Sequence, residues 1–525
     1  MKKIVTICFL LMMAGNCFGQ QITFQKTFGT ANDEYATSII QTVDEGYVIT
    51  GSTYNSVPGW HDVSLIKIDA NGNLLWAKAF GGAYNDYGWS VQQTTDGGYI
   101  VAGYTESFGA GNADFYLIKT DASGNLLWSK TFGGINFDQA YSVEQTIDGG
   151  YIIAGYTQSF GAGGYDFYLV KTDSNGNLLW SKTFGGTTGD YGYSVTQTMD
   201  GGYIMTGTTM SFGMGSDDIW LIKTDGNGNS LWTKTYGGTN SDNGRCVKQT
   251  TDAGYILLGS TYGFGAGNLD IYLTKTDSSG NLSWTKTFGG TDEDIGYSIK
   301  QTNDTGYVII GHSKSFTPGH NKIYLIKTDT NGDSIWTKIF GGSVGDYGLS
   351  IQQTIDVGYV IAGQTYSFGL GIDDFYLIKT NSLGSSGCNE ASTATIVTTP
   401  VTQVTSPAFI VTSPPTVITT PATIVGGGGT VTTLCTTVGI VSISNFEFPI
   451  SISPNPTTNH FIITFPNTIN KGVIEIYNVL GKKIFSEHVT NVSQKEIRIN
   501  NLNAGIYFVK IVADQKKYAK KLLIQ

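Results

Sequence analysis

Seven carboxylates recur in strict step along the chain: Glu34, Asp86, Asp138, Asp190, Asp242, Asp294 and Asp346. Each lies 52 residues from the next and six residues beyond an aromatic residue that is followed by glycine. A second set, Asp62, Asp114, Asp166, Asp218, Asp270 and Asp374, keeps the same step, with Lys322 in the one remaining place. A ring of carboxylates would supply the oxygen ligands that a hard divalent cation such as calcium takes; no other cofactor is expected. The competing use is local and is the stronger reading. An Asp at a loop entrance accepts hydrogen bonds from its own loop backbone, and a residue present in every copy fits that role.

Residues that break the step point better to a ligand, because a scaffold requirement is met alike in every copy. The loop that usually reads like Ser107-Phe108-Gly109-Ala110-Gly111 becomes Pro58-Gly59-Trp60-His61 in the first copy and Thr317-Pro318-Gly319-His320 in the sixth. Exposed Trp60, His61 and His320 suit contacts with a glycan or a protein, with ordinary drift of a surface loop as the alternative. No nucleophile with its base, and no unique carboxylate pair, can be singled out for catalysis. The five histidines do not form a metal-ligand spacing, and the Gly-rich turns lack a Gly-Lys-Ser/Thr phosphate loop.

The elements that position these residues follow from the same repeat. The aromatic of the aromatic-Gly turn stands at Phe28, Phe80, Phe132, Phe184, Tyr236, Phe288 and Phe340. Each unit reads as four strands, for example Trp89–Thr94, Tyr99–Thr105, Phe115–Thr120 and Leu126–Phe132, joined by Asp/Gly/Asn turns of hairpin chemistry. The last unit stops after its third strand, while a lone fourth-strand sequence, Ile22–Phe28, precedes the first. The N-terminal strand is therefore expected to complete the last blade and close the ring, leaving no exposed edges between chain ends. The fold class expected is all-β: a seven-bladed β-propeller with a small C-terminal β-sandwich. In that topology both carboxylate sets lie on one face, which should be acidic.

The stretch Lys119–Trp128, repeated at Lys171–Trp180 and Lys223–Trp232, resembles the tryptophan-docking motif of quinoprotein-like propellers, and the repeat length is similar to that of kelch-like blades. The resemblance implies a Trp held between neighbouring blades. Quinone-dependent dehydrogenases of that group have eight blades and an adjacent Cys-Cys pair, neither of which is found here, so a quinone is not expected.

The remaining segments read by composition. Residues 1–19, with Lys2, Lys3 and the apolar run Ile4–Ala14, read as a signal peptide cut after Gly19. Residues 20–384 are the propeller. Residues 385–446 are rich in Thr, Val and Pro, with prolines at 400, 407, 414 and 421, and read as an extended linker or stalk. Cys388 and Cys435 bracket it and could pair in an oxidising compartment. Residues 447–525 alternate in apolar strands. Ser453-Pro454-Asn455-Pro456, Leu480-Gly481-Lys482 and Leu502-Asn503-Ala504-Gly505 resemble the type A C-terminal sorting domain of the type IX (Por) secretion system of Bacteroidetes. That resemblance implies the type IX machinery as partner and a secreted or outer cell-surface location.

Formal net charge is -10, and the segment from Asn445 onward carries ten Lys/Arg against five Asp/Glu, so the rest stands near -15. Nucleic acid is not expected as a partner, nor is a transmembrane segment. The leading functional expectation is a non-catalytic binding or adhesion module. A secreted carbohydrate-active enzyme, glycosidase or lyase, and a structural surface or matrix component are the alternatives.

Overall fold

The computed structural model describes residues 18–54, 60–317 and 319–406, and beyond these a series of strand segments through 524. The expected signal peptide lies outside the described residues, apart from 18 and 19. The chain divides into two compact units, one of residues 22–437 and one built mainly of residues 438–525.

The larger unit is all-β and propeller-like, made of seven five-stranded antiparallel sheets. The second sheet shows how local sequence sets each strand's place. Tyr99–Thr105 and Asp114–Thr120 are near-continuous apolar runs and are buried on both faces, as middle strands must be. Leu126–Gly133 alternates between half-buried and exposed at its start and is buried at its end. Gly97 and Gly124 take φ of 83° and 76° in the two hairpins, a backbone that glycine adopts without a Cβ clash.

Ring closure follows the expected split. Phe18–Gly29 pairs antiparallel with Asp374–Thr380, with Phe24 opposite Lys379 and Phe28 opposite Phe375. The seven first strands touch one another in a closed cycle, Glu34–Gln41 meeting both Asp86–Gln93 and Asp346–Gln353. A separate apolar core fills each junction, including the one between the seventh sheet and the first, where Phe24, Phe28, Ile39, Tyr47, Ile68, Val360 and Leu377 are buried together. Polar latches repeat the pattern. Gln93 accepts from Val43 N at 3.0 Å, Gln145 from Thr95 N at 2.8 Å, and Gln41 closes the circle by accepting from Ile355 N at 2.9 Å.

The docked tryptophans are present between sheets. A Cβ on Gly124 would lie 2.7 Å from the ring of Trp76, and one on Gly176 would lie 2.8 Å from Trp128. At the closure Phe24 takes this place under Gly72.

The fifth strand of every sheet corrects the reading of residues 385–446 as a stalk. Glu390–Ser392 pairs with the sixth sheet, Ile396–Thr398 with the fifth, Gln403–Thr405 with the fourth, Ile410–Thr412 with the third, Val417–Thr419 with the second and Ile424–Gly426 with the first. Thr430–Ser442 then joins the seventh. The segment is a belt that walks round the outer edges in the direction opposite to the one in which the sheets were built. From 396 to 424 the belt strands start every seven residues, the period of the prolines. At ~3.3 Å per extended residue, seven residues carry the chain about 23 Å, one step from an outer edge to the next. Edge strands otherwise present unpaired N–H and C=O groups, so a Thr/Val-rich segment with no charge beyond Glu390 is stabilised by covering them. Cys388 and Cys435 form a disulfide across a sequence separation of 47, joining the start of the circuit to its end.

The smaller unit has Ser451–Ser453, His460–Asn478, Lys483–Arg498, Gly505–Ala513 and Lys516–Ile524 hydrogen-bonded in one five-stranded sheet. Its core holds Phe461, Ile463, Ile474, Ile476, Val509, Ile511, Leu522 and Ile524.

Candidate functional site

The two carboxylate sets are placed inside, so they do not make the acidic face expected of them. Glu34 is 3% exposed and Asp86, Asp138, Asp190, Asp242, Asp294 and Asp346 are 0% exposed. Asp86 Oδ2 accepts from Gly82 N at 2.8 Å and Ser107 Oγ at 2.7 Å, and Asp138 repeats this with Gly134 N and Ser159 Oγ. In the second set, Asp114 Oδ2 accepts from Ala110 N and Gly111 N at 3.0 and 3.3 Å. Burial raises Asp114 to about 7, helped by the neighbouring charge of Asp138, and raises Asp86 to about 6.

The loop departures go to different surroundings. Trp60 is 66% exposed. His61 sits among Tyr35, Tyr54 and Tyr87, its ring 5.4 Å from that of Tyr87 and stacked on it, and burial lowers its pKa. His320 is exposed, with its carbonyl accepting from Thr317 Oγ1 at 3.1 Å. No described contact joins His320 to Trp60 or His61. Pro58, Gly59 and Pro318 lie outside the described residues.

A more concentrated set of departures lies on the first strands, at the inner ring. Three residues past each first-set carboxylate stand Thr37, Trp89, Tyr141, Tyr193, Arg245, Tyr297 and Leu349. Three residues further on stand Ile40, Gln92, Glu144, Thr196, Lys248, Lys300 and Gln352. Arg245 and Lys248 of the fifth sheet and Lys300 of the sixth are thus adjacent cations at places where the other copies carry aromatic, hydroxyl, amide or aliphatic groups, apart from Glu144. The Arg245 guanidinium lies 4.6 Å from the ring centre of Tyr193 and 5.8 Å from that of Tyr297. Lys248 Nζ donates to Thr196 Oγ1 at 3.0 Å.

These side chains feel one another across the ring. Glu144, on the third sheet, is held up by burial and drawn back by Lys248 and Lys300 of the fifth and sixth. Lys300 is lowered to about 8 by burial and by Lys248, opposed by Cys246 and Glu144. Charges on non-neighbouring sheets couple only through the space the first strands enclose. At these two strand positions three cations stand against one carboxylate around that space, in a chain that is acidic overall. Its wall is aromatic: Tyr141 stacks with Tyr156 at 5.4 Å, and His312 meets Tyr297 and Tyr347 at 5.4 and 4.7 Å. Lining of this kind, aromatic with a few convergent charges, is what ligand sites share. The sequence signal was there: comparing the seven copies at these two strand positions picks out Arg245, Lys248 and Lys300. Loop comparison alone passes over them.

Among the described residues no group of three or more His, Cys, Asp and Glu side chains could hold a metal, and no helix is long and apolar enough to cross a membrane. A cleft between the fifth and sixth sheets is lined by Asp252, Lys275, Trp284, Gln301 and Tyr307, all repeated in most copies. It belongs to the scaffold.

Residues 451–525 match the family described as the secretion system C-terminal sorting domain. Two curated proteins share partial similarity. The regulatory protein FlaEY of Caulobacter vibrioides is 28% identical over 176 residues, 28% of this chain and 18% of that protein. The ulvan lyase NLR42 of Nonlabens ulvanivorans is 34% identical over 77 residues, 14% of each. The chain thus spans less than a fifth of the length of either relative. Among solved structures, a fungal alcohol oxidase of the AA5 family in complex with copper matches with a TM-score of 0.37 and 10% identity, over 97% of this chain and 99% of that one. The endo-1,5-alpha-L-arabinanase of Thermotoga petrophila matches with a TM-score of 0.26 and 13% identity, over 69% and 100%.

Proposed function

We propose that this type IX-exported chain displays a closed seven-bladed β-propeller at the outer cell surface, and that the propeller binds an anionic glycan in its central channel without turning it over. The observation that carries the reading is the convergence of Arg245, Lys248 and Lys300 on an aromatic-lined inner ring. Aromatic faces suit the apolar faces of sugar rings, and a surplus of half-buried cations suits the carboxylate or sulfate of an acidic sugar. Glu144 stands alone among carboxylates at these positions, which favours binding over the paired-carboxylate chemistry of a glycosidase. Secretion and display rest on the sorting domain at 451–525.

The test is a binding measurement on the full chain with matched acidic and neutral oligosaccharides. Acidic ligands should bind more tightly, and the Arg245→Ala and Lys300→Met variants should each lose about ten- to a hundredfold, as expected for a charged hydrogen bond worth ~1.5–3 kcal/mol. Equal binding of neutral ligands would refute the anionic reading. Shortening of the oligosaccharide that disappears with Glu144→Gln would replace it with the enzyme reading.

A further inference from the structure

Between neighbouring sheets, the second-set carboxylate of one copy and the first-set carboxylate of the next converge on the glycine of the aromatic-Gly turn. A Cβ on Gly133 would lie 2.1 Å from Asp114 Oδ1 and 2.7 Å from Asp138 Oδ2. The same approach recurs for Asp62 and Asp86 at Gly81, for Asp218 and Asp242 at Gly237, for Asp270 and Asp294 at Gly289, and for Asp374 and Glu34 at Gly29. At Gly185 the second carboxylate, that of Asp190, stands at 3.1 Å. The main chain holds the pair together: Asp138 N donates to Ala113 O at 2.7 Å and Asp190 N to Tyr165 O at 2.7 Å.

Six pairs of buried carboxylates, each converging on one glycine, carry a repulsion that something must offset. Two observations say what kind of group fits. Asp114 Oδ1 is fully buried and has no hydrogen-bond partner among the described residues. At the seventh junction, where the second-set position is Lys322, an ammonium fills the place. Its Nζ lies 3.3 Å from Asp346 Oδ2 and donates to the carbonyls of Val344, at 2.8 Å, and Gly342. The corresponding carbonyls elsewhere, those of Gly186 and Thr188, turn toward the loop of Asp166, within 2.6 and 2.8 Å of a Cβ placed on Gly163.

We infer that the six junctions with paired carboxylates are calcium-type cation sites, built from two carboxylates of adjacent copies and main-chain carbonyls, and that Lys322 supplies the cation covalently at the seventh. Carboxylate and carbonyl oxygens are the ligand set that hard cations take. The sites tie neighbouring sheets together and are independent of the channel.

The experiment uses the full chain, stripped with chelator and titrated with calcium chloride, with bound calcium counted by equilibrium dialysis and melting followed in parallel. Calcium should raise the melting temperature and bind at close to six equivalents, falling to five in Asp114→Asn and rising to seven in Lys322→Asp. Asp114→Asn keeps an acceptor for Ala110 N, so its fold does not depend on the lost charge alone. A stoichiometry identical in all three proteins, or no bound calcium and no change in melting, would overturn the inference; in the latter case the pairs share protons instead.

Discussion

Serine at both Cys388 and Cys435 opens the belt while leaving its hydrogen bonds in place. The disulfide spans 47 residues of chain. The loss of loop entropy in the unfolded chain for a ring of that size corresponds to about 4 kcal/mol at 25 °C. The unit it closes runs from residue 22 to 437. At ~2.1 cal/mol/K of unfolding entropy per residue, a loss of that size lowers its melting temperature by about 5 °C. Scanning calorimetry of the double variant beside the wild type, with and without reductant, measures this. Reduced wild type should melt with the double variant, and the oxidised wild type should melt above both. A loss of this size requires that the belt leave its outer edges in the same transition that melts the sheets. A double variant within 1 °C of oxidised wild type would refute it, since the belt would then peel away before the sheets and the disulfide would constrain nothing in their unfolding.

Val357 has φ of 59°, at the hairpin place where Gly97 has 83°. A β-branched residue in that region costs ~1–2 kcal/mol, so Val357→Gly should raise stability in urea unfolding despite the entropy glycine adds to the unfolded chain. Gly133→Ala should destabilise by about 2 kcal/mol or more by the same assay, because its Cβ would overlap Asp114 Oδ1. Burial lowers His312 to about 3, with Lys314 adding to it. Its ordinary value is 6.5, so the stability from keeping it neutral is complete above pH 6.5 and is lost as pH falls toward 3, about 2 kcal/mol by pH 5. The difference between wild type and His312→Gln across pH 5 to 7 should show that slope. Lys300, lowered to about 8, should release its proton between pH 7 and 9, and acidic-ligand affinity should weaken over that range in wild type but not in Lys300→Met.

Much of the fold is legible because the copies repeat without insertion. A constant step of 52 residues places the anchors, turns and carboxylates, and the lone strand Ile22–Phe28 shows where the ring must join. Burial of Asp86 and its equivalents was legible as the local alternative, since a carboxylate four residues after a loop Gly N–H finds that donor wherever it occurs. The seven-residue spacing of prolines in the belt was visible too, but it read as a stalk. A segment with no charge beyond Glu390 and no long apolar run carries no mark of what it pairs with, and outer edges exist only once the sheets have formed.

By itself, then, the sequence determined the strands, their turns, the number of copies, the split that closes the ring, and the sorting domain, because each depends on residues near one another in the chain. The tertiary structure decided the rest. Asp114 meets Asp138, Lys322 meets Asp346, and Lys248 and Lys300 act on Glu144 only because strands some 20 to 150 residues apart are brought side by side or across one ring. Charge interactions act over a few ångströms of space and are indifferent to distance along the chain, so sites built from them appear only when the fold does.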